Sequence, residues 1–129
     1  MTCVWDSILH ALCRHKLLPV MSMTARPSPA QLVNWLKRSN RKTPGVRWNG
    51  GSLSAKQQDE NFEHVNSFQG GTIGRGYDCA ACEPFLFLVC ELFMVNIDHH
   101  YCGHTMQYRT TGQIPLLKFR SNRGHMTVA

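Results

Sequence analysis

The chain lacks the features that mark secreted and membrane-spanning proteins. Its longest apolar run, residues 84–97, is interrupted by Glu91 and falls short of the ~20 residues that a bilayer-spanning helix needs. The early apolar segment is broken by Asp6 and His10, and no small-residue cleavage pattern follows it, so no signal peptide is expected. Six cysteines at irregular spacings do not resemble a secreted disulfide framework. We therefore expect a cytoplasmic, reducing location and no membrane partner.

Acidic residues are also few. Eight Asp and Glu stand against 14 Lys and Arg, which gives a net charge of +6. The basic residues are scattered except in residues 37–42, which are typical of a solvated helix end. Basic and aromatic residues do not alternate as they do in a nucleic-acid stacking surface, so no nucleic-acid partner is expected. A plain interaction or nucleic-acid-binding module stays open as an alternative class, since the positive charge and Trp35, Trp48 and Tyr77 permit it.

Helices are predicted in the first three quarters of the chain. With 129 residues, the chain is expected to form one domain, and it shows no internal repeat. Apolar spacing predicts an amphipathic helix over residues 4–15. Two capping boxes, Ser28 with Gln31 and Ser54 with Gln57, predict helices that end near residues 39 and 68. Residues 84–94 are apolar nearly all round, which predicts a central buried helix that starts at a proline.

Strands are predicted mainly in the last third. Residues 45–51 form one short early strand closed by a glycine turn. Residues 95–101 alternate in polarity, which predicts a strand. "CG" predicts a turn after it, and residues 104–109 predict a second strand that returns beside the first. Residues 116–120 and 125–129 form a last hairpin around "SNRG". Early helices followed by late strands predict an α+β domain, with the N-terminal helices packed on a late antiparallel β-sheet.

The most reactive candidate is Cys3, at the start of the first predicted helix. A helix N-terminus favours the thiolate, which is the nucleophilic form, and its N–H groups can hold an oxyanion. Such a thiolate needs a histidine base from elsewhere in the fold. The late strands offer His99, His100, His104 and His125, of which His125 opens the last strand after a glycine. The alternative is a terminal cysteine and an exposed histidine, neither with a chemical role.

Three segments together resemble the ovarian-tumour (OTU) family of cysteine deubiquitinases. "CVWDSI" resembles that family's nucleophile motif, in which the cysteine precedes an aliphatic residue, an aromatic, any residue and a small one. "YDCAACEPFLFLVCELFMVNIDHHY" is similar to the central block, where a buried helix leads into a strand. "LLKFRSNRGHMTVA" is similar to the ending that bears the catalytic histidine. The blocks keep the family's order, and the resemblance covers nearly the whole chain.

The resemblance implies a single OTU-like cysteine protease domain over residues 1–129, with a papain-like fold. Cys3 would attack the carbonyl of the glycine that ends ubiquitin or a ubiquitin-like modifier, and His125 would act as base and then acid. Backbone N–H groups of Thr2 and Cys3 would hold the oxyanion. So compact a domain is typical of viral members, which implies action in the host cytoplasm and a viral polyprotein as a further substrate. No cofactor is implied.

Two parts of the site stay open at this stage. The family usually carries Asp-Gly-Asn before the cysteine, whereas Met1 and Thr2 precede it here. It often has Asn or Asp two positions after the histidine, where this chain has Thr127, so Thr127, Asn122 and Asp6 are all candidates for the third member. The resemblance also implies a narrow substrate channel, with its candidate residues in the glycine-rich loop: Arg75, Gly76, Tyr77 and Asp78. Asp78 or Glu83 is a further candidate for contact with the arginines that precede the Gly-Gly tail.

A small zinc-binding interaction module is the alternative function. Cys79 and Cys82 form a CxxC pair, and His99, Cys102 and His104 follow it. Tetrahedral zinc needs four such donors. However, a buried helix and a strand separate the two groups, and adjacent strand residues such as His99 and His100 point to opposite faces. The sequence therefore predicts no metal in the peptidase interpretation and leaves zinc as its rival.

Overall fold

The structure is a computed structural model that describes residues 3–69, 82–110, 114–122 and 125–129. Within these ranges it is a mixed α+β fold. Its α-helices are α1 Cys3–Arg14, α2 Pro29–Arg38, α3 Ala55–Ser67 and α4 Glu83–Phe93, with a short 3-10 helix at Leu18–Met21. Its strands are β1 Arg47–Trp48, β2 Gly51–Ser52, β3 Asn96–Tyr101, β4 His104–Arg109, β5 Leu116–Ser121 and β6 Met126–Val128.

The helix starts follow local sequence signals. Both predicted capping boxes are present: Ser28 accepts a hydrogen bond from the Gln31 N–H, and Ser54 accepts one from the Gln57 N–H. In each box the glutamine side chain accepts a hydrogen bond in return from the N–H of the serine. These bonds satisfy helix N–H groups that have no intrahelical partner.

A tight turn confirms the predicted β3–β4 hairpin, and a second turn closes the predicted early strand β1, which pairs with a strand β2 that was not predicted. Asn49 and Gly50 have φ of 50° and 84° between β1 and β2, and Cys102 and Gly103 have φ of 47° and 85° between β3 and β4. Left-handed conformations at both central residues match the twist of paired strands. Glycine adopts this region without the strain that a Cβ atom adds, which explains the glycine at the second turn position.

The sheet corrects the expectation of an antiparallel one. Among the described residues its order is β2-β1-β4-β3-β5-β6, and β3 pairs with β5 in parallel, with Asn96 opposite Leu116. The other pairs are antiparallel, including the β5–β6 hairpin. The prediction was wrong because β5 does not pair with its chain neighbour β4. It crosses to the far side of β3, which makes the sheet mixed.

The helices cover one face of this sheet. Buried side chains on that face include Ile97 on β3, Tyr108 on β4 and Phe119 on β5. Helix α1 packs on β5 and β6, and α4 packs on β3 and β4. The apolar side chains between the two layers form the core, in which Trp5 of α1 meets Phe85 of α4 edge to face at 4.8 Å. The opposite face of the sheet carries polar side chains.

None of the helices in the described ranges has the length and apolar character needed to cross a membrane.

Candidate active site

Cys3 is the first residue of α1. The helix forms because its apolar residues recur at helical spacing, so that Val4, Trp5 and Ile8 are buried against the core. Cys3 is half-buried at the rim of that packing. It lies at the end of α1 that carries the positive pole of the helix dipole. By contrast, burial raises the pKa of Cys90 in the middle of α4, so that thiol stays protonated.

A buried hydrogen bond fixes α1 to the last strand. The hydroxyl of Ser7, one turn after Cys3, donates to the backbone carbonyl of Met126 in β6 at 2.9 Å. The C-terminal part of α1 lies near the other end of this hairpin, where Ala11 and Val128 line one surface depression. The N-terminus of α1 therefore lies at the end of the hairpin where β6 begins.

His125 immediately precedes β6 and is exposed. Its backbone carbonyl accepts a hydrogen bond of 3.0 Å from the N–H of Asn122, which closes the turn between β5 and β6. Cys3 and His125 line the same groove, which has a volume of about 480 Å³. The structure thus brings the predicted nucleophile and base to one open cleft. The oxyanion role of the Cys3 N–H stays a prediction, and Thr2, the other predicted donor, lies outside the described residues.

The three candidates for the third member occupy different places. Thr127 lies two residues after His125 and lines the same groove, and residues two apart on a strand share a face. Asn122 is across the turn and lines a second groove, which His125 and Thr127 also line. Asp6 lines the Cys3 groove, but its carboxylate forms an ion pair with Arg26 at 3.9 Å.

His99, one of the four histidines considered as a base for Cys3, does not line the Cys3 groove. It is fully buried, and its Nε2 is 2.5 Å from the Ser121 hydroxyl. Ser121 in turn pairs with Met126, whose carbonyl holds Ser7. Burial, with a smaller contribution from the neighbouring His100, lowers the pKa of His99 to about 4. His99 is therefore a neutral imidazole near pH 7, and its alternation with less buried neighbours on β3 was the available sequence signal.

The predicted substrate channel belongs to the glycine-rich loop. Arg75, Gly76, Tyr77 and Asp78 lie outside the described residues. Glu83, the other acidic candidate, is the first residue of α4 and is half-buried beside Trp48 and Phe87. Burial raises the pKa of its carboxyl group.

The zinc-ligand candidates within the described ranges differ in burial and position. Cys79 lies outside the described residues, Cys82 is buried before α4, and Cys102 and His104 are exposed at the β3–β4 turn. Within the described ranges, no three His, Cys, Asp or Glu residues are grouped to hold a metal.

The chain was compared with protein-family models, curated proteins and solved structures, and none of them matches it.

Proposed function

We propose that this protein is a papain-like, OTU-like cysteine peptidase that cleaves after the C-terminal Gly-Gly of ubiquitin or a ubiquitin-like modifier in the cytoplasm. The observation that carries the proposal is the shared groove of Cys3, at the N-terminus of a buried helix, and His125, at the start of the last strand. A reactive cysteine needs a base from another part of the fold, and this groove supplies one. The motif resemblance supports the choice of substrate.

The reaction proceeds in two steps. His125 takes the thiol proton, and the Cys3 sulfur attacks the carbonyl carbon of the terminal glycine, while the N–H of Cys3 donates to the developing oxyanion. The C–N bond then breaks, and His125 returns the proton to the leaving amine. Water, deprotonated by His125, hydrolyses the thioester, which releases the glycine carboxylate and restores the thiol. Thr127 is the proposed third member because it shares the strand face of His125, where its hydroxyl can accept the imidazole N–H.

A ubiquitin probe with a thiol-reactive C-terminal electrophile tests the proposal. We expect a covalent adduct with the wild-type protein and none with Cys3→Ala. Cys13→Ala is the matched control, since Cys13 is also half-buried and lies on the same helix. It should label as the wild type does. A folded wild-type protein that forms no adduct, or a Cys3→Ala variant that still labels, would overturn the proposal.

A further inference from the structure

A second groove lies on the side of the sheet that no helix in the described ranges covers. We call it the outer groove. It has a volume of about 520 Å³, and its lining includes the Cys102–Gly103 turn together with the side chains of His100, Arg120, Asn122, His125 and Thr127. His125 and Thr127 also line the Cys3 groove, so the two grooves meet at the start of β6.

The strand register brings the polar groups of the outer groove into a row. His100 on β3 is opposite Arg120 on β5, and Arg120 is opposite Thr127 on β6. Directly opposed residues share a face, and neighbouring strands are about 4.8 Å apart. Arg120 therefore stands between His100 and Thr127 on one face of the sheet. The imidazole Nδ1 of His100 is 2.6 Å from the Thr105 hydroxyl on β4.

Among the residues that the structure describes, no carboxylate forms an ion pair with Arg120. No described lining residue is acidic, and Arg120 is exposed. The carboxylate on this face of β3 belongs to Asp98, which is bound to Arg109 at 2.6 Å. The planar guanidinium group of an arginine can donate two parallel hydrogen bonds to a carboxylate group, and neighbouring polar side chains can add further ones.

From this arrangement we infer that the outer groove binds an acidic polypeptide segment, with a Glu or Asp carboxylate on Arg120. The row crosses three strands as an open strip, which suits an extended chain. The described residues that line the groove include a single Arg or Lys and no Phe, Tyr or Trp, whereas a groove for single-stranded nucleic acid combines several basic side chains with such stacking residues. The inference goes beyond the proposed peptidase activity, because this binding requires no thiol.

Fluorescence anisotropy with a labelled peptide of alternating glutamate and serine tests the inference. The comparison peptide carries glutamine in place of every glutamate, and the protein is the Cys3→Ala variant, so that no covalent chemistry contributes. We expect the acidic peptide to bind and the glutamine peptide to bind much more weakly. Arg120→Gln should weaken binding by about fivefold, as expected for the loss of one partly screened ion pair.

Lys118→Gln is the matched control. Lys118 lies two residues before Arg120 on the same face of β5 and is outside the lining of the outer groove. The substitution removes one positive charge, as Arg120→Gln does. It should change the affinity by less than about twofold. Equal binding of the two peptides, equal effects of the Arg120 and Lys118 variants, or tighter Arg120-dependent binding of a single-stranded oligonucleotide would each overturn the inference.

Discussion

Ser7 and Met126 are joined by a buried hydrogen bond of 2.9 Å, although 119 positions separate them in the chain. Because Ser7 is one turn after Cys3 and Met126 directly follows His125, this bond sets the position of the candidate nucleophile relative to the candidate base. A papain-like reaction depends on that relative position, since misplacement by about 1 Å is enough to slow catalysis strongly.

Ser7→Ala should therefore affect both stability and reactivity. It leaves the Met126 carbonyl without its partner, and we expect the free energy of unfolding to fall by about 1–2 kcal/mol in urea titrations. The rate of labelling by the ubiquitin probe should fall at a temperature where the variant is still folded. Ser67→Ala is the control, since its exposed hydroxyl bonds only within α3 and should change stability by less than about 0.5 kcal/mol. Unchanged labelling in folded Ser7→Ala would show that the bond does not position Cys3.

His125→Ala should remove turnover and leave the fold intact, because His125 is exposed and its backbone, not its side chain, closes the β5–β6 turn. Loss of a general base typically costs about 10²–10⁴ in rate. The rate of hydrolysis of a fluorogenic ubiquitin substrate measures turnover, and thermal unfolding shows whether the variant is folded. His104→Ala removes an exposed histidine from β4, outside both grooves, and should retain full turnover. The assignment of the base is wrong if His104 proves essential and His125 dispensable.

The third catalytic member can be identified by two nearly isosteric changes. Thr127→Val keeps the β-branched shape on β6 but removes the hydroxyl, and we expect turnover to fall by about tenfold as the imidazole loses its orienting acceptor. Asp6→Asn removes the charge that pairs with Arg26 and should have little effect. Steady-state kinetics on both variants decide the matter: a larger loss in Asp6→Asn than in Thr127→Val would move the role to Asp6.

The buried imidazole of His99 predicts an acid-sensitive fold. The unfolded imidazole takes up its proton near pH 6.5, whereas burial lowers the folded pKa to about 4. Between these values the unfolded state binds more protons, so stability is full above about pH 6.5 and falls as the pH drops towards 4. The contribution of His99 to this loss should be about 2–3 kcal/mol.

Urea unfolding across this pH range, with the double variant His99→Phe/Ser121→Ala, checks that prediction. The double change removes the imidazole and its hydroxyl partner together, so no buried group is left without its bond. The loss of stability between pH 6.5 and pH 4 should be smaller in the variant. His64→Gln is a useful comparison, because burial also lowers the pKa of His64, but only part of that side chain is shielded. An identical pH dependence in the double variant and the wild type would contradict the prediction.

The sequence predicted the parts of the fold that short segments determine. The Ser28 and Ser54 capping boxes lie within four residues each, and the β3–β4 turn is set by Cys102 and Gly103, so these features were confirmed. The parallel pairing of β3 with β5 was missed because it depends on which strands meet in space, and local periodicity carries no such information. Alternation correctly placed His99 and His100 on opposite faces.

The candidate site also combines features that local sequence predicts with features that depend on how distant segments meet. Cys3 at a helix start and His125 at a strand start follow from local patterns, and their shared groove was expected only through the resemblance. The outer groove was not predicted at all, because His100, Arg120 and Thr127 come together through the register of three strands. The catalytic roles of Cys3 and His125 stay a prediction until the probe experiment is done.

The bond between Ser7 and Met126 can form only after the 119 positions that separate them have been synthesised. A ribosome releases the helix of Cys3 first and the strand next to His125 later, so the candidate nucleophile meets its candidate base only after β6 has been made. Partly made or clipped chains that lack this strand should be inert towards the probe. Labelling in cells would then report only those molecules in which α1 and β6 are docked against each other.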